Sequence, residues 1–160
     1  MRVWHRQCGF TFIEIIATLA IIAVLTSIVL PLAEVSAQRK KEEDLRLNLR
    51  QIRDALDTYR QAGDEGRIVR KVGDSGYPKT LQVLAEGVED AKSPTGGKMY
   101  FLRRVPRDPL YPDPSIPAAQ TWGKRSYASS PDAPREGDDV YDVYSLSPGT
   151  GLNGIRYREW

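Results

Sequence analysis

Residues 10–32 read FTFIEIIATLAIIAVLTSIVLPL, an apolar run interrupted by Thr11, Glu14, Thr18, Thr26, Ser27 and Pro31. About 20 apolar residues in helical form match the hydrocarbon thickness of a bilayer. The stretch therefore predicts a membrane-spanning helix, and that constrains every other element of the chain. A secretory signal peptide is the competing reading. Such a peptide has a shorter apolar region that ends at small residues. Val35-Ser36-Ala37 offers that kind of end, and cleavage there would leave a chain starting at Gln38.

After Pro31 the pattern changes but does not stop. Leu45, Leu49, Ile52, Leu56 and Tyr59 recur at alternating steps of four and three, the spacing of one helix face. Arg46, Asn48, Arg50, Gln51, Arg53, Asp54 and Asp57 fall between them and read as a solvated face. No glycine or proline interrupts residues 33–62, and the hydrogen bond lost at Pro31 can be offset by packing. The expectation is one helix from about Phe10 to about Gln61, roughly 75 Å long, kinked at Pro31 and stopped around Gly63 and Gly66.

Residues 63–160 form a head rich in turn formers. Leu81, Val83, Leu84 and Val88 after Tyr77-Pro78 predict a short helix or turn packed on the long one. Met99-Tyr100-Phe101-Leu102 reads as a strand closed by Arg103, Arg104 and Pro106. Residues 126–129 and 140–146 are the other two strand candidates, and residues 110–122, with Pro112, Pro114 and Pro117, read as irregular. The predicted fold class is α+β: a long N-terminal helix whose second half packs on a small antiparallel sheet.

Composition excludes more than it suggests. A length of 160 residues fits one domain, and a formal charge of +2 is too small to argue for nucleic acid or a membrane surface as partner. Cys8 and His5 are the only residues of their types. If the first nine residues are removed, disulfides, Ser–His–Asp or Cys–His catalysis and ordinary zinc sites are all out of reach. Carboxylates or a Ser–Lys pair would remain for an enzyme, and no spacing singles out either, so no catalytic residue is assigned.

Glu14 is the ionisable residue in the wrong place, one turn into the apolar run. A carboxylate within a spanning helix costs up to about 3 kcal/mol on insertion scales and ordinarily has a partner and a task. The plain alternative is that Glu14 marks the membrane boundary. Its neighbours favour the task. Gly9-Phe10-Thr11-Phe12-Ile13-Glu14, after a short leader with Arg2 and Arg6, resembles the processing signal of type IV pilins and type II secretion pseudopilins. The resemblance implies that residues 1–9 are a leader cut after Gly9 by a prepilin peptidase, and that Phe10 becomes an N-methylated N-terminus. It makes Glu14 the assembly residue and Pro31 the helix-bending proline. Glu14 would neutralise the N-terminal amine of a neighbouring subunit, a pairing favoured because either charge alone in hydrocarbon is costly. Residues 10–33 are then the membrane and assembly half of the helix, 34–62 its amphipathic half, and 63–160 a periplasmic head.

The head resembles that of the major type II pseudopilin (type G). The matching residues are Tyr77-Pro78, Tyr100-Phe101-Leu102, Val105-Pro106, Asp108-Pro109, Trp122-Gly123 and Tyr141–Leu146. The implied partners are copies of the chain in a homo-oligomeric filament, other pseudopilins, the inner-membrane assembly platform, and membrane lipid before assembly. The implied place is the inner membrane, crossed once, with the head in the periplasm. Two departures stand out. Residues 110–121 are inserted where the family runs on directly, and Ser147-Pro148-Gly149-Thr150-Gly151 stands where the family has its calcium-binding aspartates. No metal or other cofactor is therefore expected. Asp138, Asp139 and Asp142 lie on or beside a predicted strand, where neighbours face opposite ways. A residual calcium site would need Asp138, Glu159 and backbone carbonyls. Without an ion, Ile155, Tyr157 and Trp160 are the expected anchors of the tail. The alternatives are a minor type IV pilus subunit, with Arg103, Arg104 and Arg107 as phosphate contacts, and a periplasmic binding module cut after Ala37. Three arginines bordering a strand are more simply read as an edge kept soluble, so nucleic acid is not an expected partner. Arg39, Lys40 and Lys41 after the span oppose this orientation on a positive-inside count, and the resemblance overrides that count.

Overall fold

The computed structural model describes residues 10–160. The chain divides into two compact units, Met1–Arg39 and Lys40–Trp160. One helix, α1 (Phe12–Asp64), contributes to both.

In the first unit α1 starts at Phe12, two residues later than expected, because Thr11 caps it. The Glu14 amide donates to Thr11 Oγ1 at 3.3 Å and to the Thr11 carbonyl at 3.1 Å. Thr11 thus satisfies a donor that a helix start otherwise leaves free. The apolar stretch has a mean hydropathy of 2.7 over its best 18 residues, none of them buried. Its polar side chains turn inward on their own helix. Thr18 Oγ1 donates to the Ile15 carbonyl at 2.8 Å, Thr26 Oγ1 to Ile22 at 2.8 Å, and Ser27 Oγ to Val24 at 2.7 Å. Hydroxyls satisfied in this way can enter hydrocarbon without an open donor. The helix continues through Pro31, although a proline there leaves the Ser27 carbonyl without its helical donor.

In the second unit the predicted stripe is the centre of the core. Leu45, Leu49, Ile52 and Leu56 are buried, and Tyr59 packs at the margin. Against them lie Leu81 and Leu84, from the start and the body of α2 (Gln82–Glu86), with Leu102, Trp122, Val140, Val143 and Tyr157. Trp122 is 1 % exposed, and its indole Nε1 donates to the Pro106 carbonyl at 2.8 Å.

The small antiparallel sheet is as expected and residues 140–146 hold one of its strands, but the other strand positions differ. It is two separate antiparallel ladders: β1 (Val88–Glu89) with β2 (Lys98–Met99), and β3 (Trp122–Arg125) with β4 (Asp142–Ser145). Tyr100, Phe101 and Leu102 are not strand. The amides of Phe101 and Leu102 both donate to the Leu84 carbonyl, at 3.0 and 2.9 Å, so this run closes the end of α2 instead of a ladder. Residues 126–129 form a turn, in which the Ser129 amide donates to the Ser126 carbonyl at 3.0 Å. The strand lies four residues earlier, where Gly123 opposes Tyr144. A Cβ on Gly123 would sit 2.2 Å from the Tyr144 ring, so the position needs glycine for that ring to lie across it. Residues 110–117 are irregular as expected, with a 3-10 turn at Ala118–Gln120.

Candidate assembly site

Of the predicted processing pair, Gly9 lies outside the described residues. Phe10 is 79 % exposed, and Phe12, Ile13, Ile15 and Ile16 are exposed around it. Glu14 is exposed in the first turn of α1, where a negative charge suits the helix dipole. Among the described residues no cation is within ion-pair distance of it. The first unit therefore offers a bare apolar helix with one acidic side chain near its start. A single copy buries none of this surface, and neither water nor a lone helix in lipid satisfies the combination.

Arg53, expected on the solvated face, turns toward the tail. Its Nε donates to Asp142 Oδ1 at 2.8 Å, and its Nη2 to the carbonyls of Val143 at 3.2 Å and Trp160 at 2.8 Å. Glu42, directly after the basic Arg39-Lys40-Lys41 cluster, is buried. Its Oε1 accepts from the Tyr157 hydroxyl and the Leu152 amide, both at 2.9 Å. The tail is thus fixed by a carboxylate and a guanidinium of α1. Of the three expected apolar anchors, Tyr157 is buried, Trp160 is half-buried under Arg46, and Ile155 is 46 % exposed and outside the core cluster.

These contacts also settle where the candidate metal ligands go. Asp142 is paired with Arg53 and Arg125. Asp139 accepts from the Ser75 hydroxyl and the Tyr127 amide. Asp138 and Glu159 line different cavities, so the residual set is not brought together. The three arginines do not border a strand, because β2 ends at Met99. Arg107 is turned into its own loop, while Arg103 and Arg104 are exposed.

Asp108 is a further buried carboxylate, beside Pro109 in a dipeptide that the sequence marks. Its Oδ2 accepts from Ser145 Oγ at 2.6 Å and its Oδ1 from the Leu110 amide at 2.8 Å, tying the loop to β4. Burial pushes its carboxyl above the ordinary 3.8, and those two hydrogen bonds and Arg107 only partly offset the rise. With the folded-state value raised, the folded chain binds the proton more tightly than the unfolded one. The contribution of Asp108 to stability is then full below pH 3.8 and lost as pH rises through the raised value. The stability difference between the parent and Asp108→Asn should therefore shift against the parent across that window. Melting curves of both proteins at several pH values test this, and a difference that stays flat with pH contradicts it.

A family profile described as the prokaryotic N-terminal methylation motif matches residues 4–30. Type II secretion system core protein G of Dickeya chrysanthemi is 26 % identical over 155 residues, covering 94 % of each chain. The protein of that name from Klebsiella pneumoniae is 28 % identical over 142 residues, covering 85 % of this chain and 94 % of its own. The chain resembles the type II secretion pseudopilins. A third relative named core protein G, from Escherichia coli (strain K12), is 29 % identical over 113 residues, 68 % of this chain and 70 % of that one. The likeness to pseudopilins thus covers the head as well as the N-terminal motif, in agreement with the residues that carry it in the sequence. No solved structure gives a significant match.

Proposed function

We propose that this chain is a structural subunit of a type II secretion pseudopilus and not an enzyme. It is cut after Gly9, methylated on Phe10, held in the inner membrane by residues 10–33 and assembled with its head in the periplasm. The observation that supports the reading is a carboxylate in the first turn of an exposed apolar helix, within the residues that match the methylation motif. In a filament each Glu14 meets the Phe10 amine of a neighbour, and each apolar helix is covered by others. Pro31 bends the helix to fit that packing. The prepilin peptidase, the assembly platform and other pseudopilins are the partners this implies. The rival cut after Ala37 would fall within α1, which is unbroken there.

Processing gives the test. Replacing Gly9 with Val should leave the precursor uncut and in the membrane, because a branched side chain keeps the protease from a backbone that glycine lets it approach. On a gel, the variant should run as the longer form with none of the shorter one. A variant processed as well as the parent removes Gly9 from the account.

A further inference from the structure

We infer that the Arg53 guanidinium is the tail's own cation: it gathers the oxygens of Asp142, Val143 and Trp160 where the resemblance to pseudopilins implies calcium. The tail therefore takes its order from α1 and is indifferent to divalent ions. This concerns the head alone and does not rest on the filament reading.

A guanidinium keeps its charge at any physiological pH and offers its N–H donors in a fixed plane. Arg53 sets them on a strand and on the last turn at once. Its Nε meets the Asp142 carboxylate at 2.8 Å, and its Nη2 reaches the carbonyls of Val143 at 3.2 Å and Trp160 at 2.8 Å. A carboxylate and two carbonyls around one positive centre are the oxygens a hard cation collects, and here the centre belongs to α1. Arg125 takes the other Asp142 oxygen at 3.3 Å, so neither is left over. Between the two held ends the tail closes on itself. The Gly151 amide donates to Ile155 at 2.8 Å, Gly154 to Gly151 at 2.9 Å, and Tyr157 to Gly149 at 3.2 Å.

The donor set does not fit calcium, which needs six to eight oxygens with several carboxylates among them. Residues 147–158 hold no aspartate or glutamate. Asn153 Oδ1 accepts from the Ile155 amide at 3.0 Å, and Glu42 Oε1 is taken by Tyr157 and Leu152. Among the described residues, no three acidic, histidine or cysteine side chains gather into a metal-ligand group. Glu159 lines a cavity with Arg46, Arg50 and Arg53, one negative charge against three positive ones. Arg156 and Arg158 add two more positive charges to the tail itself. A dication approaching this end of the head is repelled, whereas the covalently held Arg53 has no such approach to make.

Hydrogen exchange followed by mass spectrometry on the detergent-solubilised full chain tests this, because amide exchange reports the local opening of one segment apart from the rest. In Arg53→Gln, peptides from residues 147–160 should exchange at least about tenfold faster, while those from residues 45–56 keep the parent's rate. Arg53→Lys should fall between, since it keeps the charge and loses the planar fork. The parent's tail should exchange at one rate in EDTA, in calcium and in magnesium, and calcium should not slow the Arg53→Gln tail. Faster exchange of the parent's tail in EDTA, reversed by calcium and not by magnesium, overturns the inference. An Arg53→Gln tail that exchanges at the parent's rate overturns it equally. Should Arg53→Gln loosen the core as well, Arg53→Lys and the parent in EDTA decide by the same two criteria.

Discussion

Glu14→Leu is expected to leave the protein in the membrane and abolish its filaments. Removing the carboxylate lowers the insertion cost by up to about 3 kcal/mol, so the membrane fraction should be unchanged or richer. Assembly goes the other way. In the stack, the N-terminal amine of one subunit would be left in hydrocarbon without a counter-charge. Breaking one partner of a buried pair costs about 3–5 kcal/mol, about two to four orders of magnitude in the association constant of each subunit. Electron microscopy of sheared cells should then show no filaments, and export should fall with them. Asp at the position should restore part of the assembly, since it keeps the charge on a shorter stem. Normal filaments from the Leu variant would reduce Glu14 to a cap-side residue in the first turn of α1.

The second large effect lies in the head. Among the described residues Trp122 is the largest fully buried side chain, in one core cluster with the α1 stripe and Val143. Trp122→Ala removes that volume and the hydrogen bond to Pro106, and should cost about 3–5 kcal/mol. For a head of this size that is a melting temperature lower by roughly 10–25 °C, a large share of the 5–15 kcal/mol that holds typical domains folded. The detergent-solubilised chain, followed by circular dichroism, gives the number. A loss below about 1 kcal/mol would mean that the core does not depend on this ring.

The helix was legible because its signal is periodic and local: steps of three and four place Leu45, Leu49, Ile52 and Leu56 on one face whatever follows. Of the strands, β4 was legible in residues 140–146, and the others were not, because each is at most four residues long and its partners decide it. Gly123 and Lys124 carry no strand preference, and β3 exists because Gly123 makes room for Tyr144 opposite. The aromatic run at Tyr100 has a strand's composition and closes α2 instead. Arg53 was assigned to a solvated face, and Glu42 to no contact, because their partners lie some hundred residues on, in a tail whose return to α1 leaves no local trace. At the assembly site the balance is reversed. Glu14 was legible because a charge in an apolar run needs no tertiary context to stand out. The Thr11 cap was the part that only the structure added.

The central claim is that Phe10 becomes a working N-terminus, so the most direct test is the intact mass and N-terminal sequence of the chain taken from its own cells. The account predicts a chain that starts at Phe10 and carries the mass of one added methyl group. A chain that starts at Gln38, or one that keeps Met1 through Gly9 in assembled material, would contradict it.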